Sequence, residues 1–160
     1  MQFAPQQDEA LKAVSKWLKE GRSPLFRLFG YAGTGKTTLA RHFAENVDGE
    51  VLFAAFTGKA AQVLRSRGAS NAKTIHSLIY RPRETDSEEP SFVLNSDSPA
   101  ARASLIIIDE CSMVDEELGR DVLSFGTPVL VLGDPAQLPP VKGGGFFTET
   151  EPDVMLTEVH

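Results

Sequence analysis

The chain has 160 residues, a formal charge of −6, 41% apolar residues and a single cysteine, Cys111. A chain of this length is read as one domain, burying roughly two-thirds of its unfolded surface, and one cysteine excludes an internal disulfide or a cysteine-rich zinc cluster. No apolar run approaches the roughly 18–20 residues of a membrane span and the first residues carry no signal-peptide pattern, so a cytoplasmic protein with no membrane contact is expected.

Pro5 to Glu20 reads as an amphipathic helix, with Ala10, Leu11, Val14, Trp17 and Leu18 at helical spacing and Gly21 as its stop. The apolar run Leu25–Phe29 reads as a strand, Lys36 to about Asn46 as a helix, Val51–Phe56 as a second strand and Lys59–Arg67 as a helix closed by Gly68. Leu105–Ile108 and Val129–Leu132 are the next strands, with a helix starting near Asp115 between them, and Val154–Leu156 is a fifth. Phe26, Phe29, Phe53 and Phe56 fall at strand spacing and are assigned to the core. Continuous β-branched strands alternating with helices predict an α/β fold with a mainly parallel sheet covered on both faces. Arg81 to Ala103 breaks the pattern: it is polar, contains Pro82, Pro90 and Pro99, and reads as an inserted loop or small hairpin.

The charge is unevenly spread. Between Thr57 and Arg83 stand Lys59, Arg65, Arg67, Lys73, Arg81 and Arg83 and no acid, whereas Glu84 to Asp121 holds eleven acids against Arg102 and Arg120. An acid-free basic tract in an acidic chain is either a solvated helix face or a surface for a polyanion.

Gly30-Tyr31-Ala32-Gly33-Thr34-Gly35-Lys36-Thr37 is a complete phosphate-binding loop between a strand and a helix. Its glycines let backbone N–H groups turn toward phosphates, and the helix start adds its positive end. Gly30, Gly33, Thr34, Gly35, Lys36, Thr37 and Thr38 are the expected ATP contacts, Lys36 reaching the β- and γ-phosphates and Thr37 ligating Mg²⁺. Asp109 and Glu110 follow a buried strand, where open α/β sheets bind ligands. Asp109 suits the Mg²⁺ shell and Glu110 suits a general base on the attacking water; capping of the next helix is the other role for such a pair. Gly133–Pro140 after the fourth strand reads by itself as an ordinary proline-rich turn; a polar Gln137 at that strand tip is the alternative, as a sensor of the γ-phosphate.

Taken in order, these segments resemble the first RecA-like motor domain of superfamily 1 DNA helicases, in the branch of RecD and the phage helicase Dda. The similar segments are Gln7–Ala10, Gly30–Thr37, Phe56–Ala61, Thr74–His76, Asp109–Met113 and Gly133–Pro140. The resemblance implies a P-loop NTPase of RecA-like three-layer α/β/α form spanning 1–160, with 81–103 as a small inserted hairpin. It implies ATP-driven translocation on single-stranded DNA, 5′→3′, with duplex unwinding, in DNA repair or recombination of a bacterial or phage-infected cell.

By the same resemblance Gln7 pairs with the adenine edge, and Thr57, Lys59, Thr74 and His76 line the DNA track. Gln137 couples the γ-phosphate to that track. Phe92 lies where the branch carries a duplex-splitting hairpin, with Phe92-Val93-Leu94 as an arm and Asn95-Ser96-Asp97 as a turn; packing its own loop is the other role open to it. The branch continues past this point with an arginine and a second motor domain, so a second domain or a protein partner is expected to complete the site. A P-loop ATPase of another class, for packaging or remodelling, and a non-catalytic nucleotide-binding fragment are the competing readings.

Overall fold

Four consecutive apolar residues, Leu105-Ile106-Ile107-Ile108, set the layers of the molecule. Alternate side chains of a strand point to opposite faces, so Leu105 and Ile107 enter one apolar cluster while Ile106 and Ile108 enter another. All four are fully buried, and truncating any one of them costs about 2–5 kcal/mol. A strand apolar on both sides needs cover on both sides, and the computed structural model, which describes residues 3–83, 91–135 and 145–159, supplies it with helices.

The strands are β1 (Leu25–Gly30), β2 (Val51–Ala55), β3 (Lys73–Thr74), β4 (Tyr80–Pro82), β5 (Phe92–Leu94), β6 (Leu105–Asp109), β7 (Val129–Gly133) and β8 (Val154–Leu156). Six form a sheet in the order β3-β2-β6-β7-β1-β8, every neighbouring pair parallel. β1 therefore lies between β7 and β8, pairing Leu25 with Val129 and Leu28 with Val154. Helices α1 (Pro5–Glu20), α2 (Lys36–Glu45) and α3 (Gly58–Ser66) contribute Val14, Leu39 and Leu64 to the cluster that holds Leu105. Helices α4 (Ile75–Ile79) and α5 (Glu116–Leu123) contribute Leu78 and Val122 to the cluster on the opposite face. The result is the three-layer α/β/α architecture with a parallel sheet.

Local chemistry explains the helix ends. Gly21, at φ +62°, closes α1 with its N–H on the Trp17 carbonyl at 3.1 Å. Thr57, Thr74 and Asp115 each accept a bond from a first-turn N–H, of Ala60, Ser77 and Leu118 respectively. The short β3 and α4 carry too few residues for a periodic pattern, and the sequence reading passes over both. In α5, Gly119 sits under the ring of Phe146, and a Cβ there would lie 2.1 Å from a ring carbon. That packing fastens the segment after residue 144 to the helix, helped by Phe146 N–H on the Val114 carbonyl at 3.0 Å.

β4 and β5 pair antiparallel apart from the main sheet, Tyr80 opposite Leu94 and Pro82 opposite Phe92. The partner arm thus begins at Tyr80, before the expected insertion. Asn95–Asp97 follows the second arm and turns the chain back toward the domain, with Asn95 N–H on the Ile79 carbonyl at 2.7 Å.

Candidate functional site

The carboxyl ends of the parallel strands meet in one row, where Asp109 of β6 pairs with Ala55 of β2 and Ala55 pairs with Thr74 of β3. Helices rise from this edge, so chain segments far apart in sequence open onto a common cleft of about 560 Å³. The loop between β1 and α2 forms one wall. Gly33 and Gly35 both adopt φ +84°, a conformation side chains rarely tolerate, and α2 begins with neither a side-chain cap nor an acid in its first turn. Its leading N–H groups are left for an anion.

Gly33, Gly35, Lys36, Thr37 and Thr38 line the cleft together with Ala32, Asp109, Glu110 and Asp134. Gly30, Thr34 and Gln7 do not, and their contacts show why. Gly30 is wedged so tightly that a Cβ would lie 2.5 Å from the Thr34 hydroxyl and 2.9 Å from Leu156 Cβ. Thr34 is buried and donates its hydroxyl to the Tyr31 carbonyl at 2.8 Å, holding the loop's shape. Gln7 is also buried: its Oε1 accepts from Ala4 N–H at 3.0 Å and its Nε2 donates to the Thr34 carbonyl at 3.1 Å. Next to it, Gln6 Oε1 accepts from the Thr157 and Glu158 N–H groups at 3.0 and 3.1 Å. The start of α1 therefore braces both the phosphate loop and the chain after β8.

Thr37 and Asp109 are brought together across the sheet, the Thr37 hydroxyl donating to Asp109 Oδ2 at 3.1 Å. Asp109 Oδ1 accepts from the Glu110 N–H at 2.9 Å. Burial raises the Asp109 carboxyl above its ordinary value, against the opposing pull of the Thr37 and Glu110 hydrogen bonds and of the nearby Lys36 and Arg67 charges. Two hard oxygen donors at this spacing fit a divalent cation that keeps most of its water shell and arrives with a nucleotide. Glu110 is exposed on the cleft at φ +52°, ψ +64°, the one non-glycine residue with positive φ among the described residues. Gln137 lies outside the described residues. Cys111 is fully buried and burial pushes its thiol up to about 12, so it packs as an apolar residue.

The expected DNA residues divide into two groups. Thr57 and Lys59 line the same cleft as Lys36 and Asp109. Thr74 caps α4 and donates its hydroxyl to Ser77 Oγ at 2.9 Å. His76 is exposed between two rings, 6.1 Å from Phe56 and 5.7 Å from Tyr80. Tyr80 in turn donates its hydroxyl to Asp121 at 2.5 Å, and burial, then that bond, raises its phenol above the usual range. Beyond it Phe92 is 63% exposed. Arg67 also lines the cleft. In the sequence it is marked only as one charge of the acid-free basic tract.

A family model described as an AAA domain matches residues 2–160. The chain belongs to that family. This AAA domain is a RecA-like domain of the superfamily 1 helicase type, as in RecD, Dda and Pif1 proteins. It is 36% identical over 143 residues to the ATP-dependent RecD2 DNA helicase of Deinococcus radiodurans, covering 83% of this chain and 19% of that protein. It is 32% identical over 145 residues to the ATP-dependent DNA helicase dda of Enterobacteria phage T4, covering 86% of this chain and 33% of that protein. The fold of Pif1 helicase from Bacteroides, solved in complex with ADP-AlF3 and ssDNA, superposes with a TM-score of 0.64 at 24% identity, over 95% of this chain and 42% of that one. The AAA domain thus spans about a fifth to a third of the two curated relatives. Among the described residues, no helix is long and apolar enough to cross a membrane.

Proposed function

We propose that this chain is the ATP-binding motor domain of an ATP-dependent DNA helicase, turning hydrolysis into 5′→3′ movement along single-stranded DNA and unwinding of duplex. The observation that carries the proposal is the single cleft shared by Lys36, Thr37, Asp109 and Glu110 on one side and Thr57 and Lys59 on the other. Lys36 binds the β- and γ-phosphates as a charge-assisted donor. Thr37 and Asp109 hold Mg²⁺, which when bound offsets the phosphate charge. Glu110 takes the proton of the attacking water, and its exposure in the cleft gives a substrate water access to the carboxylate. Gln137 senses the terminal phosphate, and Gln7 acts indirectly, bracing the phosphate loop through its bond to the Thr34 carbonyl while its Oε1 is held by Ala4 N–H.

Thr57, Lys59, Thr74 and His76 form the strand-binding edge, Lys59 by charge and His76 by stacking. Residues 81–103 act as the small inserted unit, with Phe92 presented to the duplex end. A second RecA-like domain or a protein partner completes the cleft. The partial coverage of the helicase relatives supports that arrangement.

The test is ATP turnover by the chain joined to a second motor domain, with and without single-stranded DNA, alongside the Lys36→Ala variant. DNA-stimulated turnover abolished in the variant is expected. Turnover indifferent to DNA indicates an ATPase of another class, and nucleotide binding without turnover indicates a non-catalytic module.

A further inference from the structure

Lys59, Val63 and Arg67 recur at intervals of four along α3 and its C-terminal cap, and all three line the cleft. A rise of 1.5 Å per residue puts Lys59 and Arg67 about 12 Å apart along the helix, so the α3 wall carries a cation near each end. Arg67 is exposed and has no ion-pair partner among the described residues. Its neighbour Arg65 is engaged elsewhere, donating Nη1 to the Ala72 carbonyl at 2.8 Å. One arginine of this helix end thus serves the backbone while the other faces the cavity that holds Lys36, Thr37 and Asp109.

We propose that Arg67 binds the terminal phosphate of a nucleoside triphosphate seated on the Gly30–Thr37 loop, acting in cis from the α3 side of the cleft. The inference rests on the nucleotide-binding reading given above. A guanidinium presents a planar fork of donors that matches phosphate oxygens two at a time, which an ammonium does not. α3 follows β2, whose last residue Ala55 pairs with Asp109, and it covers the same face of the sheet as α2. The arginine at its far end lines the same cleft as the phosphate loop. A diphosphate, lacking the outermost group, leaves Arg67 without a contact. The residue then discriminates between nucleotides by phosphate number, whereas Lys36 contributes to both.

Titration calorimetry of the full chain with Mg²⁺ and either a non-hydrolysable ATP analogue or ADP tests this, using wild type, Arg67→Ala, Arg67→Lys and Arg65→Ala. Arg67→Ala is expected to weaken the triphosphate analogue about tenfold or more and ADP by less than about twofold. Arg67→Lys is expected to recover part of the loss, and Arg65→Ala to leave the ratio of the two affinities unchanged. If Arg67 only caps α3, Arg67→Ala lowers the melting temperature with no change in that ratio, and the proposal is overturned. Should Arg67→Ala fail to fold, Arg67→Lys decides, since it keeps the charge at the helix end and loses the fork: an unchanged ratio again overturns the proposal. Wild type that binds neither nucleotide refutes the nucleotide-binding reading itself, a result distinct from either outcome for Arg67.

Discussion

Glu110 combines a proposed catalytic role with a backbone conformation that opposes it, and the two separate by mutation. At φ +52° and ψ +64° its Cβ crowds the backbone, at a cost of about 1–2 kcal/mol that glycine does not incur. Glycine gives back about 0.4–1 kcal/mol through the greater freedom of its unfolded chain. Glu110→Gly is therefore expected to stabilise the fold by about 0.5–1 kcal/mol, which for a domain of this size raises the melting point by roughly 1–4 °C. The same change removes the proposed general base and abolishes turnover. Glu110→Gln is the control, because it keeps the Cβ and the strain while losing the carboxylate; its turnover falls as far and its melting point stays near wild type. Thermal unfolding followed by circular dichroism, paired with a phosphate-release assay, reads both quantities. Equal stabilisation by Gln and Gly would refute the strain account and assign the effect to repulsion between Glu110 and the neighbouring acids Asp109 and Asp134.

Lys36→Ala should weaken ATP binding by about 1.5–3 kcal/mol, seen by calorimetry, while Glu110→Gln binds as wild type does. Lys59→Ala should lower affinity for single-stranded DNA and flatten its logarithmic salt dependence by about one phosphate contact, measured by fluorescence anisotropy across a salt series. Gly119→Ala sets a helix propensity gain of about 1 kcal/mol against a Cβ 2.1 Å from the Phe146 ring. Overpacking of roughly 1–3 kcal/mol should win, lowering the chemical denaturation midpoint. Asp109→Asn should raise the melting point at neutral pH, because the folded carboxyl titrates above its unfolded value and the buried charge is a liability once ionised. That gain should vanish as pH falls through the folded carboxyl's range, where wild type takes up the proton, and the same variant should lose Mg²⁺-dependent nucleotide binding.

Much of the site was legible because its chemistry is local. The phosphate loop needs glycines at fixed offsets before Lys36-Thr37, and a strand as apolar as Leu105–Ile108 has to end where Asp109 meets solvent. What stayed hidden depends on contacts between distant segments. Nothing in Thr34 or Gln7 tells that both side chains turn inward to hold the loop, since the same residue types facing the cleft would read identically. The left-handed Glu110 breaks the rule that reserves such positions for glycine, so no residue type announces it. β3 owes its existence to β2, and α4 to the cap at Thr74 and its buried Ile75, Leu78 and Ile79, not to any periodicity. Arg67 was visible as charge but not as a cleft residue, because the direction of a helix end depends on which neighbour it packs against.

The position of β1 also has a bearing on how the chain is made. Both of its partners, β7 and β8, are encoded about a hundred residues or more downstream, with Leu25 waiting for Val129 and Leu28 for Val154. At about 5–20 residues per second a ribosome takes roughly 5–20 s to deliver β7 after β1 has emerged. Throughout that interval the strand carrying the phosphate loop has two bare edges and an apolar Leu25-Phe26…Leu28-Phe29 pattern, the kind of segment that pairs with whatever strand is nearby. The nascent chain is thus most vulnerable to misassembly in the window when its nucleotide loop already exists as sequence but has no sheet to belong to, and a chaperone that shields residues 25–30 protects the one element on which the rest of the site is built.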